Sequence, residues 1–280
     1  MCDRMISHKM MKSFELHLRE DEKSCATVEK YTRDLKRFMI FAGEKSVDKQ
    51  LVLEYKESLA KSYAASSANS MLAVINSFFR FSGWHDCCVK RLKTQAKVYC
   101  TEEKELTKEE YIRLVRTAER NGNERLSLII QTICSTGIRV SELKYITVQA
   151  LADGEAQVNC KGKIRMVFIV PQLRKKLKMY VRKAGITHGA VFVTKSGSPM
   201  DRSNIWREMK NLCRQAKVSP TKVFPHNLRH LFARIFYGLE KDIAKLADVL
   251  GHANLSTTRI YIVTTGTEHK RKMERMQLIL

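Results

Sequence analysis

The sequence contains no run approaching the roughly 18 apolar residues that a membrane span requires. Its opening stretch, MCDRMISHKMMK, lacks the continuous apolar segment of a secretory signal. These two deficits lead to the expectation of a cytoplasmic protein with no membrane partner. Proline is scarce, 4 in 280 residues, which favours helix. No Walker-type glycine-rich phosphate loop occurs, so chemistry driven by ATP is not expected. The eight cysteines (Cys2, Cys25, Cys87, Cys88, Cys100, Cys134, Cys160 and Cys213) are scattered and form no CxxC pair. Without ligand pairs at short spacing they read as reduced, structural residues rather than zinc ligands or disulfides.

What the chain has in excess is positive charge. It carries 51 Lys+Arg against 29 Asp+Glu, a formal charge of +22. Residues 1–100 contain 18 basic and 12 acidic side chains, and residues 101–280 contain 33 and 17. Both parts are therefore basic, as expected if both touch a polyphosphate. At 44% hydrophobic the chain can also fill real cores, and its length suits two domains.

The first hundred residues read as four short helices. One places Val28, Tyr31, Leu35 and Phe38 at spacings of three and four after Thr27, which is expected to cap it. Another starts at Asp48 and buries Val52, Tyr55 and Leu59. The fourth carries Met71, Val74, Ile75, Phe78 and Phe79 on one stripe and stops at Gly83. Between the stripes lie Lys30, Arg33, Lys36, Arg37 and the run SYAASSANS, suited to phosphate contacts. Apolar periodicity then fades, which places a linker over residues 91–104 between domains 1–90 and 105–280.

The second domain opens with Thr107-Lys-Glu-Glu110, a capping-box pattern ahead of Tyr111, Leu114 and Ala118. Helical stretches are expected around Leu126–Cys134 and Ser141–Ile146. Two β-rich runs, Ala156–Cys160 and Ile164–Val170, flank Lys161-Gly162-Lys163 and read as a hairpin. Helices follow near Leu173–Ala184, Asn204–Lys217, Asn227–Tyr237, Lys241–Leu250 and Thr257–Val263.

Three segments concentrate chemistry: TGIRVSEL (Thr136–Leu143), PHNLRH (Pro225–His230) and LGHANLSTTRIY (Leu250–Tyr261). Arg139 and Arg229 are forked cations suited to bidentate phosphate recognition. His226 precedes Arg229 by three residues, so a helix would put both on one face. His252 precedes Tyr261 by nine. Taken singly, each has an ordinary alternative: Arg139 a helix-end cation near Glu142, His226 a surface histidine, Tyr261 a half-buried core tyrosine, His252 the residue after a glycine cap. Together, two arginines, two histidines and a tyrosine without a carboxylate cluster describe phosphodiester chemistry that needs no metal or other cofactor.

In this order the segments resemble the tyrosine recombinase and phage integrase family, whose signature runs Arg, Lys, His-x-x-Arg, His or Trp, then Tyr. TGIRVSEL is similar to the first motif, PHNLRH to the second and LGHANLSTTRIY to the third. The resemblance is strong over residues 107–280 and looser over 1–90. It implies a mainly α chain: a helical core-binding domain (a SAM-like bundle), then a mixed α+β catalytic domain with a small antiparallel sheet. It also implies Tyr261 as nucleophile, Arg139 and Arg229 on the non-bridging oxygens, His226 relaying the tyrosyl proton and His252 donating to a phosphate oxygen. A hairpin lysine would be the general acid. Here the hairpin departs from the family pattern, with Cys160 where that family often has glycine and a short turn; Lys161 is preferred for the role and Lys163 stays open. Glu142 matches an acidic position of the first motif. The implied partner is double-stranded DNA, bound by a homotetramer whose basic domains clamp each site, with accessory DNA-bending or directionality factors. The implied function is integration or excision of a mobile element, or Xer-type chromosome dimer resolution. A type IB topoisomerase and a non-catalytic DNA-binding protein on the same fold are the alternatives outside it. The tail places Met273, Met276 and Leu280 on one helical stripe, as a segment donated to a neighbouring protomer would.

Overall fold

The computed structural model describes residues 4–93, 105–160, 163–262 and 274–276. The chain divides into two compact units, residues 1–96 and 97–280.

The first unit is built on four helices: α1 (His8–Glu20), α2 (Cys25–Ala42), α3 (Lys49–Ser62) and α4 (Ala65–Phe81). Each buries the stripe that its sequence marks. Phe14, Leu35, Phe38, Leu72, Ile75, Phe78 and Phe79 are almost wholly withdrawn from solvent. Asp48 caps α3 by accepting from the Leu51 N–H, as its position predicts. The cap of α2 differs from expectation. Ser24, not Thr27, accepts the first-turn N–H, because Cys25 and Ala26 are helix-compatible and let the helix begin one turn earlier. Gly83 turns the chain beyond α4 with a positive φ of 73°. The chain then folds back along α4. The Asn76 side chain pairs with both the N–H and the carbonyl of Val89, and Asn69 pairs likewise with Leu92. The expected linker thus has its beginning bound to the first unit, and residues 94–104 lie outside the described residues.

The second unit starts with α5 (Lys108–Arg120), whose capping box between Thr107 and Glu110 forms in both directions. Then come α6 (Glu124–Thr136), a 3₁₀ segment (Val140–Tyr145), α7 (Val148–Asp153) and the hairpin of β1 (Glu155–Cys160) and β2 (Lys163–Phe168). The two strands are antiparallel, with Cys160 opposite Lys163. Lys163 therefore belongs to β2 rather than to the turn. Helices α8 (Pro171–Lys183), α9 (Arg202–Ala216), α10 (Pro225–Glu240), α11 (Ile243–Leu250) and α12 (Leu255–Ile262) complete the unit. Lys241, expected to open α11, instead ends α10 in the left-handed conformation. Its main core runs from Leu106 to Leu231, and a small satellite cluster gathers Ala233, Leu246, Leu250 and Tyr261.

Among the described residues no helix is long and apolar enough to cross a membrane, and no group of three or more His, Cys, Asp or Glu could hold a metal ion. Cys25, Cys87, Cys88, Cys134 and Cys213 are free thiols. Of the tail stripe only Met276 is described, and it is exposed.

Candidate functional site

The site is assembled at helix ends. Gly137 terminates α6 in the left-handed conformation, φ 65°. A Cβ there would meet the Phe232 ring at 2.5 Å, so only glycine lets the chain pass this close to α10. The turn frees the Gly137 carbonyl, which accepts from Arg229 Nη1, and sends the chain on to Arg139. Arg139 is extended at the start of the 3₁₀ segment. Its backbone N–H and its guanidinium both donate to the Glu142 carboxylate, at 3.0 and 2.8 Å.

Glu142 is buried and holds a second cation, Arg165 of β2, at 2.6 Å. Burial alone would raise its pKa. The Arg139 N–H, the Arg139 guanidinium and Arg165 outweigh that, and the carboxyl is held below its ordinary value. Arg165 also donates to the Val249 carbonyl at 2.7 Å. It occupies the space a side chain at position 251 would need, with its Cδ 2.3 Å from where a Gly251 Cβ would be.

Pro225 begins α10 at a position where no backbone donor is lost. His226 follows on the solvent side, and Arg229 one turn later is buried, with 2% exposure. Arg229 also donates to the Leu250 carbonyl at 2.7 Å and lies 2.9 Å from His252 Nε2. Burial, then the Arg139 charge, pull its pKa down to about 10, while the nearby Tyr261 hydroxyl pulls it up. It remains a cation at neutral pH.

Gly251 closes α11 in the left-handed conformation, and the His252 N–H returns to the Ala247 carbonyl. Asn254 then starts α12 by accepting from the Ser256 N–H. Helix α12 carries Thr258, fully buried and 2.9 Å from His252 Nδ1, and Tyr261, 4% exposed.

Three imidazoles surround the Tyr261 ring. His230 is nearest, with centroids 4.6 Å apart; His252 stacks at 5.5 Å and His226 is tilted at 5.6 Å. All three have lowered pKa values. For His252 the causes are burial, then Arg229, Arg139 and Arg165, and the value falls to about 4. Burial and then His226 bring His230 to about 4. His226 is exposed as a residue, but desolvation of its ring by the surrounding protein, then Arg229, Arg139 and Arg202, lower its pKa. The pocket is thus cationic through its arginines and contains neutral rings. A phosphodiester placed there would meet cations already fixed in place, Arg139 by the Glu142 carboxylate and Arg229 by the Gly137 and Leu250 carbonyls.

The structure brings together five of the six residues singled out in the sequence: Arg139, His226, Arg229, His252 and Tyr261. The sixth, Lys161, lies outside the described residues. Sequence reasoning missed Arg165, His230 and Thr258. His230 had a signal, being four residues after His226 and so on its face; Thr258 likewise stands three before Tyr261. Nothing local marked Arg165.

Residues 104–267 match the family model described as phage integrase family, and residues 11–85 match the phage integrase N-terminal SAM-like domain. The chain is 28% identical to the tyrosine recombinase XerA of Pyrococcus furiosus, over 100% of its own length and 98% of that protein. It is 30% identical to XerA of Thermococcus kodakarensis, covering 97% and 96%. A lambda integrase (75–356) dimer bound to a COC′ core site has the same fold, with a TM-score of 0.75 at 16% identity, covering 92% and 95%. With more than half of its length matching the catalytic family model, the chain belongs to the phage integrase family, the tyrosine recombinases.

Proposed function

We propose that the chain is a site-specific recombinase that cuts and rejoins double-stranded DNA through a covalent bond to Tyr261. The observation that carries this reading is the convergence of Arg139, His226, Arg229 and His252, from three separate segments, on one buried tyrosine. In this reading residues 105–280 are the catalytic domain, residues 1–90 the core-binding domain and residues 91–104 the linker. The Tyr261 hydroxyl attacks the scissile phosphate in line and expels a 5′-hydroxyl. A phenol is a weak nucleophile at neutral pH, so attack depends on charge stabilisation as the transition state forms. Arg139 and Arg229 supply it, held in advance by Glu142 and by the Gly137 and Leu250 carbonyls. His226, solvent-facing and held neutral, takes or relays the tyrosyl proton. His252 donates to a phosphate oxygen. Lys161 protonates the leaving oxygen.

The phosphotyrosyl bond conserves the energy of the phosphodiester, so a second DNA end attacks it directly. Exchange between two duplexes takes four active sites, hence a homotetramer on DNA, acting in the cytoplasm with accessory factors at the site. Integration or excision of a mobile element is the reading we favour. Chromosome dimer resolution is the second, supported by the near end-to-end match with XerA proteins.

The test is a nicked suicide DNA library incubated with the chain and resolved under denaturing conditions. A covalent adduct mapping to Tyr261 is expected, and the sequence of the trapped DNA distinguishes an element end from a chromosomal site. No adduct on any fragment, with the chain folded and bound to DNA, contradicts the function.

A further inference from the structure

Arg229, His252 and Thr258 form a chain of hydrogen bonds whose directions are fixed by chemistry. An arginine guanidinium can only donate. The 2.9 Å contact between Arg229 Nη2 and His252 Nε2 therefore makes Nε2 the acceptor. Burial and three arginines keep the ring neutral, so its single proton sits on Nδ1. Nδ1 in turn donates to Thr258 Oγ1, 2.9 Å away. This is the tautomer opposite to the one that the reaction requires. To donate to a phosphate oxygen, His252 must carry its proton on Nε2, because Nδ1 is turned towards the fully buried Thr258.

We propose that Thr258 is a positioning residue whose hydroxyl lets His252 change from hydrogen-bond acceptor to donor when a phosphate enters the pocket. This rests on the phosphate-contact role given to His252 above. A phosphate that engages Arg229 withdraws the guanidinium from Nε2. Nε2 can then carry the proton only if Nδ1 becomes an acceptor, and its partner must then donate. A hydroxyl can do both. A carboxylate or carbonyl at this point would hold the proton on Nδ1; an apolar side chain would leave Nδ1 buried and unpaired. Thr258 also lies on the face of α12 that carries Tyr261, three residues on, so the same contact ties the His252 loop to the nucleophile's helix.

Two measurements on the full chain test this. The first is the ¹⁵N spectrum of histidine-labelled protein, alone and with the duplex recovered by the covalent trap. His252 is expected to carry its proton on Nδ1 in the free chain and on Nε2 in the complex. The same tautomer in both states, or a doubly protonated ring in the complex, overturns the switch. The second is the rate of adduct formation. Thr258→Val should slow it about 10²-fold in the folded chain with DNA affinity near wild type, and Thr258→Ser should restore it. In a His252→Ala background, Thr258→Val should add little further loss. Wild-type rates in Thr258→Val, or a loss fully additive with His252→Ala, would show that Thr258 does not act through His252. A wild-type chain that forms no adduct fails the recombinase reading instead, and the free-state tautomer still reads independently.

Discussion

The two units bury different things. In the first, the interior is aromatic and aliphatic, and Asp34 is the only charged side chain buried among the described residues. The second buries a carboxylate, a guanidinium, an amide and several hydroxyls, four of these groups at or near the pocket: Glu142, Arg229, Thr136 and Thr258. Apolar burial stabilises a fold in proportion to area. Taking Arg229 and Glu142 out of water opposes folding unless every partner is in place. The first interior is thus arranged for stability, whereas the second accepts a stability cost to fix charge where a phosphate would sit.

That contrast predicts that substitutions in the pocket cost chemistry, while substitutions in the first core cost folding. The largest expected effect is at the hairpin. Lys161→Ala should slow cleavage about 10²–10⁴-fold, and a 5′-bridging phosphorothiolate, whose leaving group needs no proton, should largely restore it. Rescue of Lys163→Ala instead moves the role to that residue. Next is Arg229→Met, which should lower the adduct rate about 10²–10³-fold in suicide-substrate assays, because the developing charge loses a preplaced donor. Phe79→Ala, in the first core, should destabilise folding by about 3–5 kcal/mol in denaturant titration. Its remaining folded molecules should keep the wild-type adduct rate once bound. A Phe79→Ala chain as stable as wild type would break the comparison.

A smaller effect is expected with pH. His230 and His252 have folded pKa values of about 4 against about 6.5 for an unfolded histidine. A depressed value means that the unfolded chain takes the proton first. The stability that the neutral rings contribute is present above pH 6.5 and is lost as pH falls towards 4. Melting temperature should fall over that window, and His230→Gln should flatten the fall. An unchanged slope in His230→Gln would remove His230 as a contributor.

The same contrast explains what could be read in advance. Helix stripes and caps are local, so α3, α4 and the α5 capping box were legible, and a one-turn error at α2 came from ranking Thr27 above an equally good Ser24. The pocket residues with motif context were legible as well. Arg165 was not, because it is a charged residue on the inward face of β2, in line with the buried Val167, while the outward face is itself apolar. Ile164 and Phe168 are 60% and 67% exposed, while Arg165 turns inward to Glu142 and the Val249 carbonyl. Its two hydrogen-bond partners among the described residues, 84 and 23 positions away, make that orientation favourable, and no spacing rule encodes them. Thr258 was passed over for a similar reason: its role depends on which ring nitrogen of His252 faces it.

In the proposed function, Tyr261 is the nucleophile around which the second unit's buried charge is organised. The most direct measurement of that role is covalent trapping with Tyr261→Phe, which removes one oxygen atom from a closely packed ring. DNA binding equal to wild type and no adduct on the nicked suicide duplex are expected. An adduct formed by Tyr261→Phe at the wild-type rate would contradict that role.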